Sequence, residues 1–264
     1  CKSRFCTCCG TEYAINWATK TSEALIDKNH RSCVFSIPFE LRDYFKLERK
    51  PLSEISDAIF EILDYHFKKN KIVSWGCIIN IHTFGRDCSF HPHFHVLFSL
   101  GGFDQKGTFK KLDFFPAEAI KNSFRHKVIQ ICKKYFNIDH IISDLYKRVF
   151  YVNMKGKSIK SDVESIKYFG RYLARPAIAE YRIIAFDGVN VTYWFNDLET
   201  KSKRQLTLPL FIFMGRLILH IPPKNFKMVR RYGFYARRKN SVIASLIAKF
   251  KKNRLFPKAK LPWE

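Results

Sequence analysis

The run His91-Pro92-His93-Phe94-His95-Val96-Leu97-Phe98 constrains this chain more than any other segment. Polar and apolar side chains alternate as they enter a β-branched and aromatic stretch, and that is the period of a strand. His93 and His95 therefore share one face, while Phe94, Val96 and Phe98 share the other. A chain with this pattern must build a sheet buried on one side and carrying imidazoles on the opposite side. Two imidazoles at strand spacing can hold one metal ion on a rigid support, beside a bond to be cut.

Parity extends the set. The stretch 72–84 reads as a second strand, with Cys77, Ile79 and Ile81 on one face and Asn80 and His82 on the other. The link Phe84-Gly85-Arg86-Asp87-Cys88-Ser89-Phe90 would return the chain antiparallel and bring His82 across from His93 and His95, which makes His82 the first choice for a third ligand. His91 is the alternative, on the same face by parity but at a strand end. Asp87 is a candidate carboxylate for orienting a ligand imidazole.

Around these strands the pattern predicts helices over 13–29, 53–69 and 116–136, and strands over 32–38 and 148–154, with a turn at Gly101-Gly102. Ile55, Ile59, Phe60, Ile62, Leu63 and Phe67 form the apolar stripe of the second helix, and Ser53 can cap its start. A further helix should begin near Ser161 or Asp162 and end before Pro176, because proline excludes its predecessor from helical geometry. Strands over 181–186 and 190–196 are joined by Asp187-Gly188, a hairpin signal. From Leu206 the chain reads as a helix, a break at Pro222-Pro223 and a basic segment to about 254. Strands far apart with helices between them predict an α+β fold, a central antiparallel sheet covered by helices on one face.

Charge points to a partner. Lys and Arg number 47 against 23 Asp and Glu, a formal net charge of +24. A surplus of that size suggests nucleic acid, bound with a steep dependence on salt. An anionic membrane surface is the competing partner, but no long basic amphipathic helix with an aromatic face stands out. No apolar run is long enough to span a bilayer and no signal peptide is recognisable, so a cytoplasmic location is expected.

Four of the eight cysteines fall in the first nine residues. Cys1, Cys6 and Cys9 supply three thiolates in a C-x4-C-x2-C spacing, with Cys8 spare or the fourth, a donor set suited to Zn2+. Because the chain begins at a cysteine, part of a zinc-ribbon-like module is expected upstream. Tyr168 and Tyr172 stand at i and i+4, so a helix would place both phenols on one face. Paired tyrosines are usually packing residues; next to a histidine pair and a large positive charge they become candidate nucleophiles for a phosphodiester. Lys167, Arg171 and Arg175 share their segment.

Taken in order, these segments resemble the two-tyrosine rolling-circle transposases of bacterial insertion sequences, members of the HUH endonuclease class. Cys1 to Gly10 resembles the end of that family's N-terminal zinc-binding module, and His82 to Asp87 with His91 to His95 its metal motif. Tyr168 to Pro176, continuing to Ile183, is similar to its tyrosine helix; Arg216 to Lys227, continuing to Gly233, is similar to its C-terminal signature. Asn196-Asp197-Leu198-Glu199 departs from the pattern, standing where a histidine-containing turn is expected.

The resemblance implies an HUH-endonuclease-like fold divided into 1–29 (end of the zinc module and linker helix), 30–200 (nuclease and strand-transferase domain) and 201–264 (basic helical DNA-binding extension). It implies Mg2+ or Mn2+ at His82, His93 and His95, Zn2+ at the N-terminal cysteines, and Tyr168 or Tyr172 attacking single-stranded DNA, at transposon ends or hairpins, to leave a 5′-phosphotyrosine. Lys167, Arg171, Arg175, Arg86, Arg230 and Arg231 are the candidate DNA contacts. A DNA-binding fragment that no longer cuts, and a rolling-circle replication initiator or relaxase, are the other readings.

Overall fold

Phe94, Val96 and Phe98 are buried to within 0% exposure, as their alternation with the histidines requires. They sit in the middle of an antiparallel sheet. The computed structural model describes residues 7–26, 29–112, 114–154, 158–159, 176–197, 200–236 and 241–249. Along these, α1 (Thr7–Ala24) leads to β1 (His30–Ser36). Two short turns of helix, α2 (Phe39–Arg42) and α3 (Tyr44–Leu47), precede the long α4 (Lys50–Lys69), which has Pro51 in its first turn. Proline is tolerated there because the N–H it lacks would have no helical partner.

Strand β2 (Gly76–Phe84) and strand β3 (Phe90–Ser99) form a hairpin, followed by the small pair β4 (Gly101–Phe103) and β5 (Phe109–Lys111). Then come α5 (Ala117–Tyr135), α6 (Ile142–Lys147), β6 (Val152–Asn153) and β7 (Ser158–Ile159). A second three-stranded sheet contains β8 (Ile183–Phe186), β9 (Asn190–Asn196) and β10 (Lys203–Pro209). It runs into α7 (Leu210–Ile218), β11 (Val229–Gly233) and α8 (Ser241–Lys249).

The central sheet has the order β11-β2-β3-β1-β6, with β7 also pairing β1, and its pairs are antiparallel. Register sets what each face carries. Ile81, Ile79 and Cys77 lie opposite Phe94, Val96 and Phe98, and Phe35 lies opposite Phe94. Helices α4 and α5 cover that face: Phe35 meets Phe124 at 4.9 Å between ring centroids, and Phe67 packs against Trp75 at 4.1 Å and Phe98 at 6.4 Å. Burying each such ring contributes about 1.5–3 kcal/mol.

Four expectations change. Helices occupy both faces, because Arg231 points to the histidine side and bonds Thr21 of α1 at 3.0 Å, 6.0 Å above the Trp17 ring. The region 201–236, expected to begin a helical extension, contributes β10 to the second sheet and β11 to the edge of the central one. Gly233 closes β11 at φ 57, where a Cβ would lie 1.8 Å from the Trp75 carbonyl, so this strand end depends on glycine. Finally, the strand expected over 148–154 contracts to Val152–Asn153, and Gly101-Gly102, expected as a turn, opens β4.

Asp187-Gly188 makes the predicted hairpin, with Asp187 Oδ1 accepting from the Val189 and Asn190 amides at 2.8 and 2.6 Å. Among the described residues no helix is long and apolar enough to cross a membrane.

Candidate functional site

The register places His82 directly opposite His93, and Asn80 opposite His95. Strand pairing thus brings His82 of β2 to the two imidazoles of β3. One potential ligand nitrogen from each of His82, His93 and His95 lies within 4.8 Å of the others. His82 and His95 are buried and His93 half-buried, so the cluster opens to solvent on the His93 side.

Each ring is oriented by a neighbour. His93 Nδ1 donates to the His91 carbonyl at 2.9 Å, which leaves its Nε2 as the nitrogen with a lone pair. That atom is 3.1 Å from His95 Nε2. His82 Nε2 lies 2.7 Å from the Asn80 amide, and the ring stacks on Phe84 at 5.0 Å between centroids. The donors fit a metal. Two nitrogens on adjacent positions of an octahedral ion with bonds of about 2.1 Å would stand about 3 Å apart, close to the observed spacing.

Burial also favours the neutral form of His93 and His95, the form that coordinates. It pushes His95 down to about 3, with His93 adding to the effect, and lowers His93 as well. His91 falls to about 4 through burial and the neighbouring Arg42. The sign of the consequence follows. The unfolded chain takes up protons near 6.5 and the fold does not, so stability is full above that pH and drains away as pH falls toward 3. In chelator, the melting temperature is expected to drop steadily from pH 7 to pH 4; a flat profile would show these rings protonated in the fold.

His91 is not part of the cluster. Its Nε2 accepts from Arg42 Nη2 at 2.9 Å, which ties it to α2, while the group whose nitrogens converge is His82, His93 and His95. Asp87 does not orient a ligand either. Its Oδ1 accepts from the Ser89 amide at 3.2 Å and the Ser89 hydroxyl at 2.7 Å, holding the β2–β3 turn. The orienting groups are the His91 carbonyl and Asn80. Asn80→Ala is expected to weaken Mn2+ affinity about 10- to 100-fold in a calorimetric titration, the usual cost of losing a group that fixes a ligand; unchanged affinity would make the contact incidental.

The same turn is latched from a distance. His220 Nε2 donates to the Cys88 carbonyl at 3.1 Å and its Nδ1 accepts from Thr83 at 3.2 Å, while Tyr193 donates to the Asp87 carbonyl at 2.7 Å. Burial pushes the Tyr193 phenol up to about 12, and its hydroxyl is committed to the turn.

Arg86 stands exposed on the turn. Arg230 is spent elsewhere: it grips Asp57 of α4 at 2.7 and 3.0 Å and the Tyr232 hydroxyl at 2.7 Å, on the face away from the histidines. Arg231 serves α1 as described above. Both were expected to contact DNA; strand alternation sends them to opposite faces of the sheet, where each is half-buried against a protein partner. Cys33, Cys77, Cys88 and Cys132 are buried thiols.

Tyr168, Tyr172, Lys167, Arg171 and Arg175 lie outside the described residues, as do Cys1, Cys6 and the side chain of Cys9. The ends of the tyrosine segment are nevertheless placed. Ile159 pairs with His30 and therefore lies at the end of β1 remote from the histidines. Ala177 is buried with Cys88, Val191, Tyr193 and Phe213, in the cluster against which Phe84 of the hairpin packs.

A family model described as Y2_Tnp, putative transposase, matches residues 76–242, which include the three histidines, both tyrosines and β11. The transposase for insertion sequence element IS801 of Pseudomonas savastanoi pv. phaseolicola is 27% identical over 259 residues, covering 90% of this chain and 62% of that protein. The putative transposase y4qJ of Sinorhizobium fredii is 22% identical over 266 residues, covering 90% of this chain and 66% of that protein. The chain thus spans somewhat under two thirds of the length of these curated relatives. No solved structure matches.

Proposed function

Because the chain belongs to the Y2_Tnp family of putative transposases, we propose that it nicks and rejoins single-stranded DNA by metal-assisted attack of a tyrosine, in rolling-circle-type transposition. The observation that carries this reading is the imidazole cluster of His82, His93 and His95. Tyr172 precedes the buried Ala177 by five residues, so even an extended chain holds it within about 18 Å of that anchor.

His82, His93 and His95 would hold Mg2+ or Mn2+, which when bound polarises a backbone phosphate and offsets the charge that develops on it. The protein's own groups do the rest. Tyr168 or Tyr172, with a phenol pKa normally near 10, needs cationic neighbours to attack; Lys167, Arg171 and Arg175 share its segment. Attack on phosphorus forms the tyrosine–phosphate bond and breaks the bond to the 3′ oxygen, leaving a 5′-phosphotyrosine and a free 3′-hydroxyl. The phosphodiester energy is retained in the adduct, so a 3′-hydroxyl can reverse the step without ATP. A second tyrosine lets one strand stay attached while another is cut.

Arg86, exposed on the β2–β3 turn, is placed to meet the DNA backbone. The thiolates of Cys1, Cys6 and Cys9 are a donor set for a structural Zn2+. Such an enzyme would work in the bacterial cytoplasm on transposon ends, single-stranded or folded into hairpins.

Strand polarity tests the reading. With Mn2+, an oligonucleotide carrying a cleavable transposon end and labelled at its 3′ end should give labelled protein, and the same strand labelled at its 5′ end should give a shorter free strand. The opposite polarity, or cleavage without a covalent adduct, would overturn it.

A further inference from the structure

The second sheet has two unlike faces. Val191 and Tyr193 of β9, with Leu206 and Leu208 of β10, pack inward on Phe213, Cys88 and Ala177. The opposite face carries Thr192, Trp194, Gln205 and Thr207 by register, and the Thr192 and Thr207 hydroxyls meet at 2.9 Å across it. Trp194 is the centre of a cluster of rings and cations there. Lys203 Nζ lies 4.6 Å from the centroid of its ring and the Arg182 guanidinium 5.4 Å from it, while the Tyr181 ring is 5.9 Å away and 67% exposed.

The charges on this face are not committed to the fold. Among the described residues neither Lys203 nor Arg182 pairs with a carboxylate, and Arg182 Nε is shielded from water with no hydrogen-bond partner. Of the nearby acids, Asp187 holds its own turn and Asp197 pairs with Arg204 at 2.8 Å, while the exposed Glu180 beside Tyr181 pairs with neither cation among the described residues. Cations resting on an indole without an anion are held weakly and are available to phosphate. Aromatic rings flanked by such cations match the chemistry of an unpaired polynucleotide, whose bases stack on the rings while its phosphates take the charge. Duplex bases are already stacked on one another and cannot use the rings.

We propose that this outer face, built from Tyr181, Arg182, Trp194 and Lys203, is a stacking platform for single-stranded DNA flanking the cleavage site. The identity of the nucleic acid rests on the transposase reading; the stacking chemistry does not. The platform is mechanically tied to the histidine strands, because the neighbouring Tyr193 bonds the Asp87 carbonyl in the turn that joins them.

The test is binding without cleavage. A fluorescein-labelled thymidine oligonucleotide is titrated in EDTA against the unmodified chain and the variants Trp194→Ala, Trp194→Phe, Tyr181→Ala and Lys203→Met, with a duplex of the same length as comparison. Trp194→Ala should weaken strand binding about tenfold or more, and Trp194→Phe, which keeps a ring, should restore most of it. Lys203→Met should lower the slope of log affinity against log salt by about 0.7, one phosphate contact on a single strand. Duplex affinity should change little in the ring variants. Unchanged strand affinity in both Trp194→Ala and Tyr181→Ala would overturn the platform, and so would equal losses on strand and duplex; should Trp194→Ala not fold, the exposed Tyr181 decides. Since no metal is present, a chain that binds through Trp194 but never forms an adduct would refute the enzyme alone, and adduct formation with unaltered binding in the ring variants would refute the platform alone.

Discussion

His95→Ala is expected to lower Mn2+-dependent strand cleavage by at least about a hundredfold while leaving most of the affinity for DNA. A metal that stabilises developing charge is worth several kcal/mol, and each 1.36 kcal/mol is about a factor of ten in rate. His95 is buried by the strand register: its Nε2 is 3.1 Å from His93 Nε2, and it sits across from Asn80 on the neighbouring strand. His93→Ala should behave alike. On this reading the phosphate contacts lie on basic side chains away from the imidazoles, so binding measured in chelator should persist. Parallel loss of cleavage and binding in both variants would mean that the imidazoles support the fold or the DNA surface, not a metal.

The second large effect concerns the nucleophile. Tyr168→Phe combined with Tyr172→Phe should leave no covalent adduct on a denaturing gel, because phenylalanine keeps the ring and removes the attacking oxygen. The single replacements should separate the roles, with one abolishing the first cut and the other impairing only the later exchange. An adduct surviving in the double variant would place the nucleophile elsewhere. Tyr193 is already a poor substitute, since its hydroxyl is bound to the Asp87 carbonyl and raised to about 12.

The legibility of this site in the sequence follows from how local each signal is. His93 and His95 were readable because alternation within one strand fixes their face, and His82 because parity carries across a single hairpin. Asn80 appeared only as a polar residue on that face; its contact with the His82 ring two residues along the strand depends on side-chain rotamers, which no sequence pattern encodes. Arg42 and His220 reach the hairpin from segments 49 and 132 residues away in sequence, so only the assembled fold reveals them. Asp87 was misread for a physical reason: a short carboxylate in a tight turn satisfies nearby backbone and hydroxyl donors before it reaches across to an imidazole.

Strand β11 was missed for the opposite reason. Val229-Arg230-Arg231-Tyr232-Gly233 looks like a charge run, yet each arginine extends along the sheet surface to a specific partner, Arg230 to Asp57 and Arg231 to Thr21. The long helices were clear because their apolar stripes bury one face, from Leu52 to Phe67 in α4 and from Ile120 to Cys132 in α5. The three-stranded sheet was half legible: Asp187-Gly188 announced its hairpin, but β10 alternates mostly among exposed residues and carries little signal.

The most direct measurement is to incubate the chain with a single-stranded transposon end and Mn2+, digest the product, and locate the DNA-linked residue by mass spectrometry. The account predicts a single class of modified peptide, linked through Tyr168 or Tyr172, that disappears in His93→Ala and His95→Ala. A link through any other residue, or an adduct that forms equally well without the histidines, would contradict it.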